Sequence, residues 1–146
     1  MKALVDTNVL ARSGNVSDRA QPKILSSLEQ LFRQGVNPCL CGQNVVELWA
    51  VATRPINANG QGKTPHTVRR ELDALLLGFE MIPDPPELLS VWLDLCTQFE
   101  VRGRQVFDAR LVALMKAAGI SKFVTLNPAD FRRYPGIELV VPVAAV

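Results

Sequence analysis

Apolar residues along this chain alternate between short continuous runs and longer stretches with helical spacing. The segment from Lys2 to Val5 is a short apolar run that ends at Asp-Thr-Asn, and it predicts a first strand followed by a turn or a helix start. Later runs predict strands at about 36–41, 79–82, 122–126 and 138–143. We therefore expect a central sheet of about five strands.

Helical periodicity fills the intervals between these strands. Apolar residues recur every three or four positions in segments that begin near Asp18, Gln43, Thr64, Asp84 and Gln105. Parallel neighbouring strands need crossover connections, and helices supply them. The alternation therefore predicts a single α/β domain over residues 1–146, with a parallel or mostly parallel sheet flanked by helices.

Several local signals make more specific predictions. Pro38, inside the second strand, favours an edge position or a late strand start, because proline cannot donate to a sheet ladder. The glycine- and asparagine-rich stretch 56–63 predicts a mobile loop. Thr64-Pro65 has the form of a helix cap and first helical residue, and Asp84 is a candidate cap for the next helix. The first long helix is expected to bury an apolar stripe made of Ile24, Leu25, Leu28, Leu31 and Phe32.

Composition narrows the class of protein. The chain has 146 residues and is 48% hydrophobic, which suits one sizeable core rather than two domains. Its apolar runs are far shorter than the roughly 20 residues needed to span a bilayer, and its N-terminus lacks the apolar region of a signal peptide, so we expect a cytoplasmic protein. Three cysteines leave no set of four thiolate ligands for zinc, so they are expected to be reduced core residues, and the single His66 is expected on the surface.

The charge distribution is compatible with nucleic acid without requiring it. A net charge of +2 is too small to indicate binding mainly through charge. Three arginine pairs would contact phosphates if they lay around one cleft, and they are Arg69-Arg70, Arg102 with Arg104, and Arg132-Arg133. Solvated helix ends are the alternative interpretation of each pair.

Four acidic residues stand where chain segments should meet the carboxyl edge of the sheet. Asp6 follows the first strand, Glu47 and Asp108 lie near the starts of apolar helices, and Asp130 follows a late strand. Ligands and metals bind at that edge in open α/β sheets. Clustered carboxylates repel one another unless a cation compensates, and oxygen ligands select Mg²⁺ or Mn²⁺. The pattern predicts a hydrolase in which a metal activates water to attack a phosphodiester.

Other interpretations of these acids remain open. Each acid could instead cap a turn or complement a helix dipole. A phosphatase with an aspartyl nucleophile would need a second acid two positions after Asp6, where Asn8 stands. A phosphoacceptor receiver domain would need a second acid beside Asp6, and a serine triad would need a partner for His66, the single histidine. A binding module without catalysis is a further alternative.

Four segments, taken in order, resemble the motifs of PIN-domain ribonucleases. These segments are Val5-Asp6-Thr7-Asn8-Val9-Leu10, Val45-Val46-Glu47-Leu48-Trp49, Phe107-Asp108-Ala109-Arg110-Leu111-Val112-Ala113, and Val124-Thr125-Leu126-Asn127-Pro128-Ala129-Asp130-Phe131. The resemblance runs from Lys2 to about Val141 and is greatest to the VapC-type toxins of type II toxin-antitoxin systems, with 50–55 resembling a segment of one VapC subgroup. It implies a PIN-like fold and a Mg²⁺- or Mn²⁺-dependent endoribonuclease. It also implies a homodimer that a cognate VapB-type antitoxin inhibits.

The resemblance also implies roles for individual residues. Asp6, Glu47 and Asp108 would bind metal and act in catalysis. Asn127 stands where the family often has aspartate, so Asp130 is a candidate fourth metal-binding acid. Residues that would hold the carboxylates in place are Thr7, Asn8, Thr125 and Asn127.

Further expectations concern the RNA and the antitoxin. Candidate RNA-binding residues are Arg54, Lys63 and Arg110. Phe107 stands where relatives of the subgroup often have histidine, which leaves the polar network beside Asp108 open. An apolar groove along the helix that carries Ile24, Leu28 and Phe32 is the expected docking site for the antitoxin.

Overall fold

The computed structural model describes residues 1–142 as a five-stranded parallel sheet covered by helices on both faces. The strands are β1 (Lys2–Val5), β2 (Asn37–Cys41), β3 (Glu80–Ile82), β4 (Lys122–Val124) and β5 (Glu138–Val140). Their spatial order is β3-β2-β1-β4-β5, and all four neighbouring pairs are parallel. The predicted α/β class and the predicted strand number are confirmed.

Six α-helices connect the strands. They are α1 (Thr7–Ser13), α2 (Gln21–Arg33), α3 (Gly42–Thr53), α4 (Pro65–Gly78), α5 (Leu88–Gln98) and α6 (Gln105–Ala118), with short 3₁₀ turns at Ile56–Ala58 and Pro128–Asp130. Alternate residues of a strand point to opposite faces of the sheet. Leu4 accordingly packs in the core beneath α5 and α6, whereas Ala3 and Val5 pack in the core beneath α1 to α4.

Element boundaries mostly follow the apolar pattern. The segment after β1, for which a turn or a helix start was predicted, forms α1. Strand β4 ends at Val124 rather than at Leu126, and β5 ends at Val140. Val143, the predicted end of the last strand, lies outside the described residues. Thr64 caps α4 as predicted, because its hydroxyl accepts a hydrogen bond from the backbone N of Thr67 at 3.3 Å.

The expectation of an edge position for the second strand is wrong, because β2 lies between β1 and β3. Pro38 pairs with Ala3 of β1, and the pairing of β2 with β3 begins one residue later, at Cys39. The proline therefore occupies a stretch of β2 with a neighbour on one side. Because β3 is short and begins opposite Cys39, Pro38 has no partner in β3, and this interior strand can therefore contain a proline.

The predicted apolar stripe of α2 is wrong for two of its five residues. Ile24, Leu28 and Leu31 are buried, whereas Leu25 is 46% exposed and Phe32 is 66% exposed. The buried face is narrower than the apolar pattern, because α2 packs against the core along one line of residues. Ile24 and Leu28 belong to the core, so among the three residues expected to line an antitoxin groove only Phe32 is exposed.

Two connections also differ from expectation. The segment 56–63, predicted to be mobile, folds back onto the end of α3 through backbone hydrogen bonds from Gln61 to Val51, from Gly62 to Arg54 and from Lys63 to Ala52. A Cβ atom at Gly60 would collide with the backbone of Arg54, so this fold needs glycine there. Asp84 does not cap α5, which begins at Leu88, because its carboxylate instead accepts from Arg110.

Two further features of the structure concern the cysteines and the length of the helices. Cys39 and Cys41 are buried and free, and burial is the main cause that raises the pKa of the Cys39 thiol to about 11. Within residues 1–142, none of the helices is both long enough and apolar enough to span a membrane.

Candidate active site at the carboxyl edge of the sheet

Asp6 lies directly after β1, at the edge where all five parallel strands end. Its backbone N–H donates to the carbonyl of Val124 at 2.8 Å, which holds the ends of β1 and β4 together. Its side chain is buried, and Thr125 Oγ1 donates to Asp6 Oδ2 at 2.8 Å. Burial raises the pKa of Asp6, although the hydrogen bonds from Thr125 and from the backbone of Thr7 lower it, and the charge of Asp130 raises it further.

Thr125 and Asn127 fix the orientation of Asp6. Thr125 is fully buried just after β4, and its hydroxyl oxygen accepts from the backbone N–H of Asn127 at 3.0 Å. A hydroxyl has one proton, so accepting from Asn127 directs that proton to Asp6. The Asn127 side chain is exposed, and its backbone is the part that supports this network.

Glu47 lies in the second turn of α3, one turn after Gln43. Gln43 Nε2 donates to Glu47 Oε1 at 2.9 Å and to the carbonyl of Phe107 at 2.8 Å, so one amide connects α3 to α6. Burial is the main cause that raises the pKa of Glu47, and the charge of Asp6 raises it further. The hydrogen bond from Gln43, the Thr7 hydroxyl and the charge of Arg110 act in the opposite direction.

Asn44 is a fully buried residue that joins three elements behind the acids. Its Nδ2 donates to the carbonyl of Val5 at 3.2 Å and to Thr7 Oγ1 at 3.0 Å, and its Oδ1 accepts from the backbone N of Cys41 at 2.8 Å. The ends of β1 and β2 and the start of α1 are thereby held in fixed positions. Sequence reasoning missed both Gln43 and Asn44. The available signal was two amides in the turn before Glu47, with Gln43 on the same helix face as that acid.

Asp108 lies in the first turn of α6 and is half-buried. Burial raises its pKa to about 6, with further increases from the charges of Asp6, Asp130 and Glu47, whereas the charge of Arg133 lowers it. The charges of the other three acids therefore all reach Asp108 at one edge of the sheet. Asp130, in the 3₁₀ turn after β4, is the exposed member of this set.

This set of acids fits a hydrated hard cation. Across residues 1–142, no three aspartate, glutamate, histidine or cysteine side chains come close enough to enclose a metal ion by themselves. Mg²⁺, however, usually keeps several waters and binds proteins through one or two carboxylates. Asp6, Glu47 and Asp108 offer oxygen ligands whose mutual repulsion a cation would relieve, which suits Mg²⁺ or Mn²⁺ and does not suit zinc.

A polar cavity of about 270 Å³ opens beside Asp108. Its lining consists of Arg104, Gln105, Asp108, Ala129, Asp130, Arg133 and Tyr134. One member each of two predicted arginine pairs therefore reaches the same cavity as two of the acids. The third pair lies elsewhere, on α4, where Arg69 pairs with Asp73 at 3.0 Å.

Other predicted residues have different surroundings. Asn8 is exposed, and within the described part of the chain its side chain forms no hydrogen bond with any acid, contrary to the expected supporting role. Lys63 pairs with Glu71 at 2.8 Å and lines an apolar cavity rather than the acid site. Arg54 follows the last residue of α3, at the opposite end of that helix from Gln43. Arg110 does lie near the acids, and it donates to Gln43 Oε1 at 3.0 Å and to Asp84 Oδ2 at 3.2 Å.

The apolar cavity next to Lys63 lies on the helical face formed by α1 to α4. Its volume is about 410 Å³, and apolar side chains that line it include Leu10, Leu48, Val51 and Leu75. Exposed Leu25 of α2 stands at this cavity. An apolar surface suited to a partner therefore lies between these helices, and α2 contributes Leu25 to it.

Comparison with solved structures identifies the same fold in toxin-antitoxin complexes. A chain of VapBC2 from Rickettsia felis, bound to a DNA fragment from its promoter, is similar with a TM-score of 0.74 and 19% identity, covering 96% of this chain and 98% of that one. A chain of DNA-bound VapBC from Salmonella typhimurium gives a TM-score of 0.68 and 16% identity, covering 96% and 97%. VapC20 from Mycobacterium tuberculosis, a Sarcin-Ricin loop cleaving toxin, gives 0.57 and 15%, covering 83% and 86%.

Sequence comparison supplies the family. No curated protein sequence matches the chain significantly. The family model of the PIN domain does match, over residues 3–137, a span that contains all four acids and, apart from Lys2 of β1, every strand except the last. The order of motifs, the parallel sheet and the acids at its carboxyl edge agree with that match, and the chain belongs to the PIN-domain family.

Proposed function

We propose that this protein is a metal-dependent endoribonuclease of the VapC type, which hydrolyses RNA phosphodiester bonds with water. The observation that carries the proposal is the interaction among four acids at one edge of the sheet, three of which have raised pKa values. A cluster of acids with raised pKa values is a mark of a functional site. The PIN-domain family and the toxin-antitoxin neighbours support the same assignment.

Each side chain has a defined part in this proposal. Asp6, Glu47 and Asp108 would surround the Mg²⁺ or Mn²⁺ ion, one or two of them as direct ligands and the remainder through its waters, with Asp130 at the exposed rim. The ion, when bound, lowers the pKa of a bound water and neutralises charge on the phosphoryl group. Thr125 keeps Asp6 oriented and Gln43 keeps Glu47 oriented, so neither carboxylate has to rotate into place.

RNA is the proposed substrate and an antitoxin the proposed partner. One neighbour of similar fold is named for cleaving the Sarcin-Ricin loop, which supports RNA as the substrate class. Other neighbours are complexes of a toxin with its antitoxin, and they support a VapB-type antitoxin as a partner of this chain. We include a homodimer in the proposal on the family resemblance, and we place antitoxin docking at the apolar cavity between α1, α3 and α4.

Cleavage assays with matched variants test the nuclease activity. Purified protein is incubated with structured and unstructured RNAs in Mg²⁺, in Mn²⁺ and in chelator. We expect cleavage with either ion and none in chelator. We expect Asp6→Asn and Glu47→Gln to lose at least about 100-fold in rate, as the loss of a group that acts on the reacting centre requires.

Glu80→Gln is the control, because it makes the same change from acid to amide at the opposite end of the sheet. It should cleave at the wild-type rate. Equal cleavage in chelator, or by Glu47→Gln and Glu80→Gln alike, would contradict the proposal. RNA binding without any metal-dependent cleavage would instead support the alternative, a catalytically inactive PIN-like binding module.

A further inference from the structure

Two arginines and two acids line the polar cavity beside Asp108. Arg104 and Arg133 line this cavity together with Asp108 and Asp130. Within residues 1–142 neither guanidinium comes within 4.0 Å of a carboxylate oxygen, although seven other charged pairs do so. Both positive charges are therefore available to a ligand, right next to the acids.

Neutral groups hold the Arg133 guanidinium in place. Its Nη2 donates to Gln105 Oε1 and to the Tyr134 hydroxyl, both at 3.1 Å, and its Nη1 donates to the carbonyl of Phe99 at 3.5 Å. The guanidinium carbon also lies 5.1 Å from the centre of the Tyr134 ring. Arginine has five N–H donors, and these three bonds leave two of them free.

Tyr134 is itself rigid, which makes Arg133 a pre-positioned cation. The tyrosine is 2% exposed, and its ring packs edge to face on Phe99 with 5.2 Å between the ring centres. Because its hydroxyl oxygen accepts from Arg133, its proton can be donated to a ligand in the cavity. A guanidinium held in this way, with two N–H donors still free, suits an oxyanion such as a phosphate group.

We propose that Arg104, Arg133 and Tyr134 form a binding site for a phosphate group of the RNA strand that neighbours the phosphate being cut. This inference rests on the proposed nuclease function. The acids proposed to hold a metal also repel the rest of a polyanionic strand, and two guanidiniums in the same cavity offset that repulsion. The cavity of about 270 Å³ is small for a whole ligand, for which 300–1,000 Å³ is typical, but it suits one charged group.

Matched arginine variants test this site. Arg133→Gln and Arg104→Gln are compared with Arg132→Gln and Arg102→Gln, which remove the same charge at exposed positions that do not line the cavity. For a short single-stranded RNA we expect the cavity variants to raise the Kd and the KM about 10-fold with little change in kcat, and the controls to change both less than about twofold. For each cavity variant, the slope of log affinity against log salt should decrease by the amount that one phosphate contact contributes. This decrease is expected for the cavity variants and not for the controls.

A second measurement separates a direct phosphate contact from a structural role. Neutral methylphosphonate linkages are placed one at a time along the RNA, and binding to wild type and to Arg133→Gln is compared. At one linkage beside the cut, we expect the neutral linkage to weaken wild-type binding about as much as the variant does. Combining both changes should then weaken binding no further.

Several outcomes would overturn the inference. Losses that add at every linkage would mean that Arg133 contacts no phosphate, and equal losses in the cavity variants and their controls would indicate nonspecific charge. Within the described residues Arg104 is held only through its backbone carbonyl, which accepts from Phe107, so Arg104→Gln removes no side-chain hydrogen bond and keeps the test valid even if Arg133→Gln unfolds. Binding is measured without cleavage, so a protein that binds in this pattern but never cuts RNA would refute the nuclease proposal and leave the phosphate site intact.

Discussion

The two ends of the parallel sheet treat charge in opposite ways. At the amino end, the first residues of the strands are Lys2, Asn37, Glu80, Lys122 and Glu138. Here acids and bases pair, because Lys2 lies 2.7 Å from Glu80 and Lys122 lies 2.8 Å from Glu138. Asn37 adds a hydrogen bond to Glu80 at 2.6 Å, and Lys2 is the main cause that lowers the pKa of Glu80.

At the carboxyl end, the acids receive hydrogen bonds from neutral groups and repulsion from one another. Thr125 supports Asp6, and Gln43 supports Glu47, yet burial raises the pKa of both acids and of Asp108. The nearby cations, Arg110 and Arg133, lower these pKa values without forming an ion pair with the acids.

The comparison shows where the fold keeps unfavourable electrostatics. The same short sheet balances its charges within the chain at one end and concentrates uncompensated carboxylates at the other. A free energy cost of this kind is typical of sites that bind an external ion or substrate. A change at one end of the sheet should therefore have a different effect from a similar change at the other end.

Beyond replacement of the acids themselves, the largest effect is expected from Thr125→Val, which keeps the shape of the side chain and removes the hydrogen bond to Asp6. We expect the rate of RNA cleavage to fall about 10- to 100-fold and the Mg²⁺ requirement to rise, because groups that orient metal ligands have effects of that size. Thr97→Val on α5 is the matched control, since its hydroxyl bonds the carbonyl of Leu93 away from the acids. Equal rates for the two variants would show that the orientation of Asp6 does not matter.

A smaller effect is expected for Asp108→Asn, and this effect is an increase in the stability of the fold. The folded-state pKa of Asp108 is raised to about 6, so the ionised carboxylate destabilises the fold above that pH, and acidification from about pH 6 towards pH 4 relieves the cost. In chelator at pH 8 we expect the free energy of unfolding of the variant to be about 1–2 kcal/mol larger than that of wild type. This figure is smaller than the pKa shift alone would give, because water screens the charge at the half-buried site. The gain should shrink as the pH falls through this window.

Urea unfolding at pH 8 and at pH 4.5 measures this difference. Asp94→Asn, on an exposed position of α5, controls for the loss of one negative charge. A variant less stable than wild type at pH 8 would mean that other contacts of Asp108 outweigh the repulsion. Added Mg²⁺ should stabilise wild type more than Asp108→Asn, because the ion compensates the same carboxylates.

The smallest effect belongs to the amino end of the sheet. Because Lys2 lowers the pKa of Glu80, this acid stabilises the fold above its unfolded-state pKa, and the contribution is lost as the pH falls through the folded-state value. Glu80→Gln should therefore slightly destabilise the protein at pH 8 in low salt. High salt should erase the difference, because both partners are exposed. A pH trend for Glu80→Gln like that of Asp108→Asn would contradict the contrast between the two ends.

The sequence by itself determined the layers of the fold and the positions of the acids along it. Apolar runs and helical periodicity are local properties, so they predicted five strands and the helices between them, and Thr64 marked the start of α4. The rule that parallel strands share one carboxyl edge then placed Asp6, Glu47 and Asp108 at the same edge. The order of motifs was sufficient to predict the PIN domain.

Tertiary structure alone decided which polar groups meet and which apolar groups are covered. Gln43 and Asn44 look like surface amides in the sequence, and they act through partners up to 67 residues away, such as Arg110. Arg133 and Arg104 meet at one cavity, whereas Lys63 is paired with Glu71. Such contacts depend on distances between segments remote in the chain, and hydrophobic periodicity contains no information about those distances.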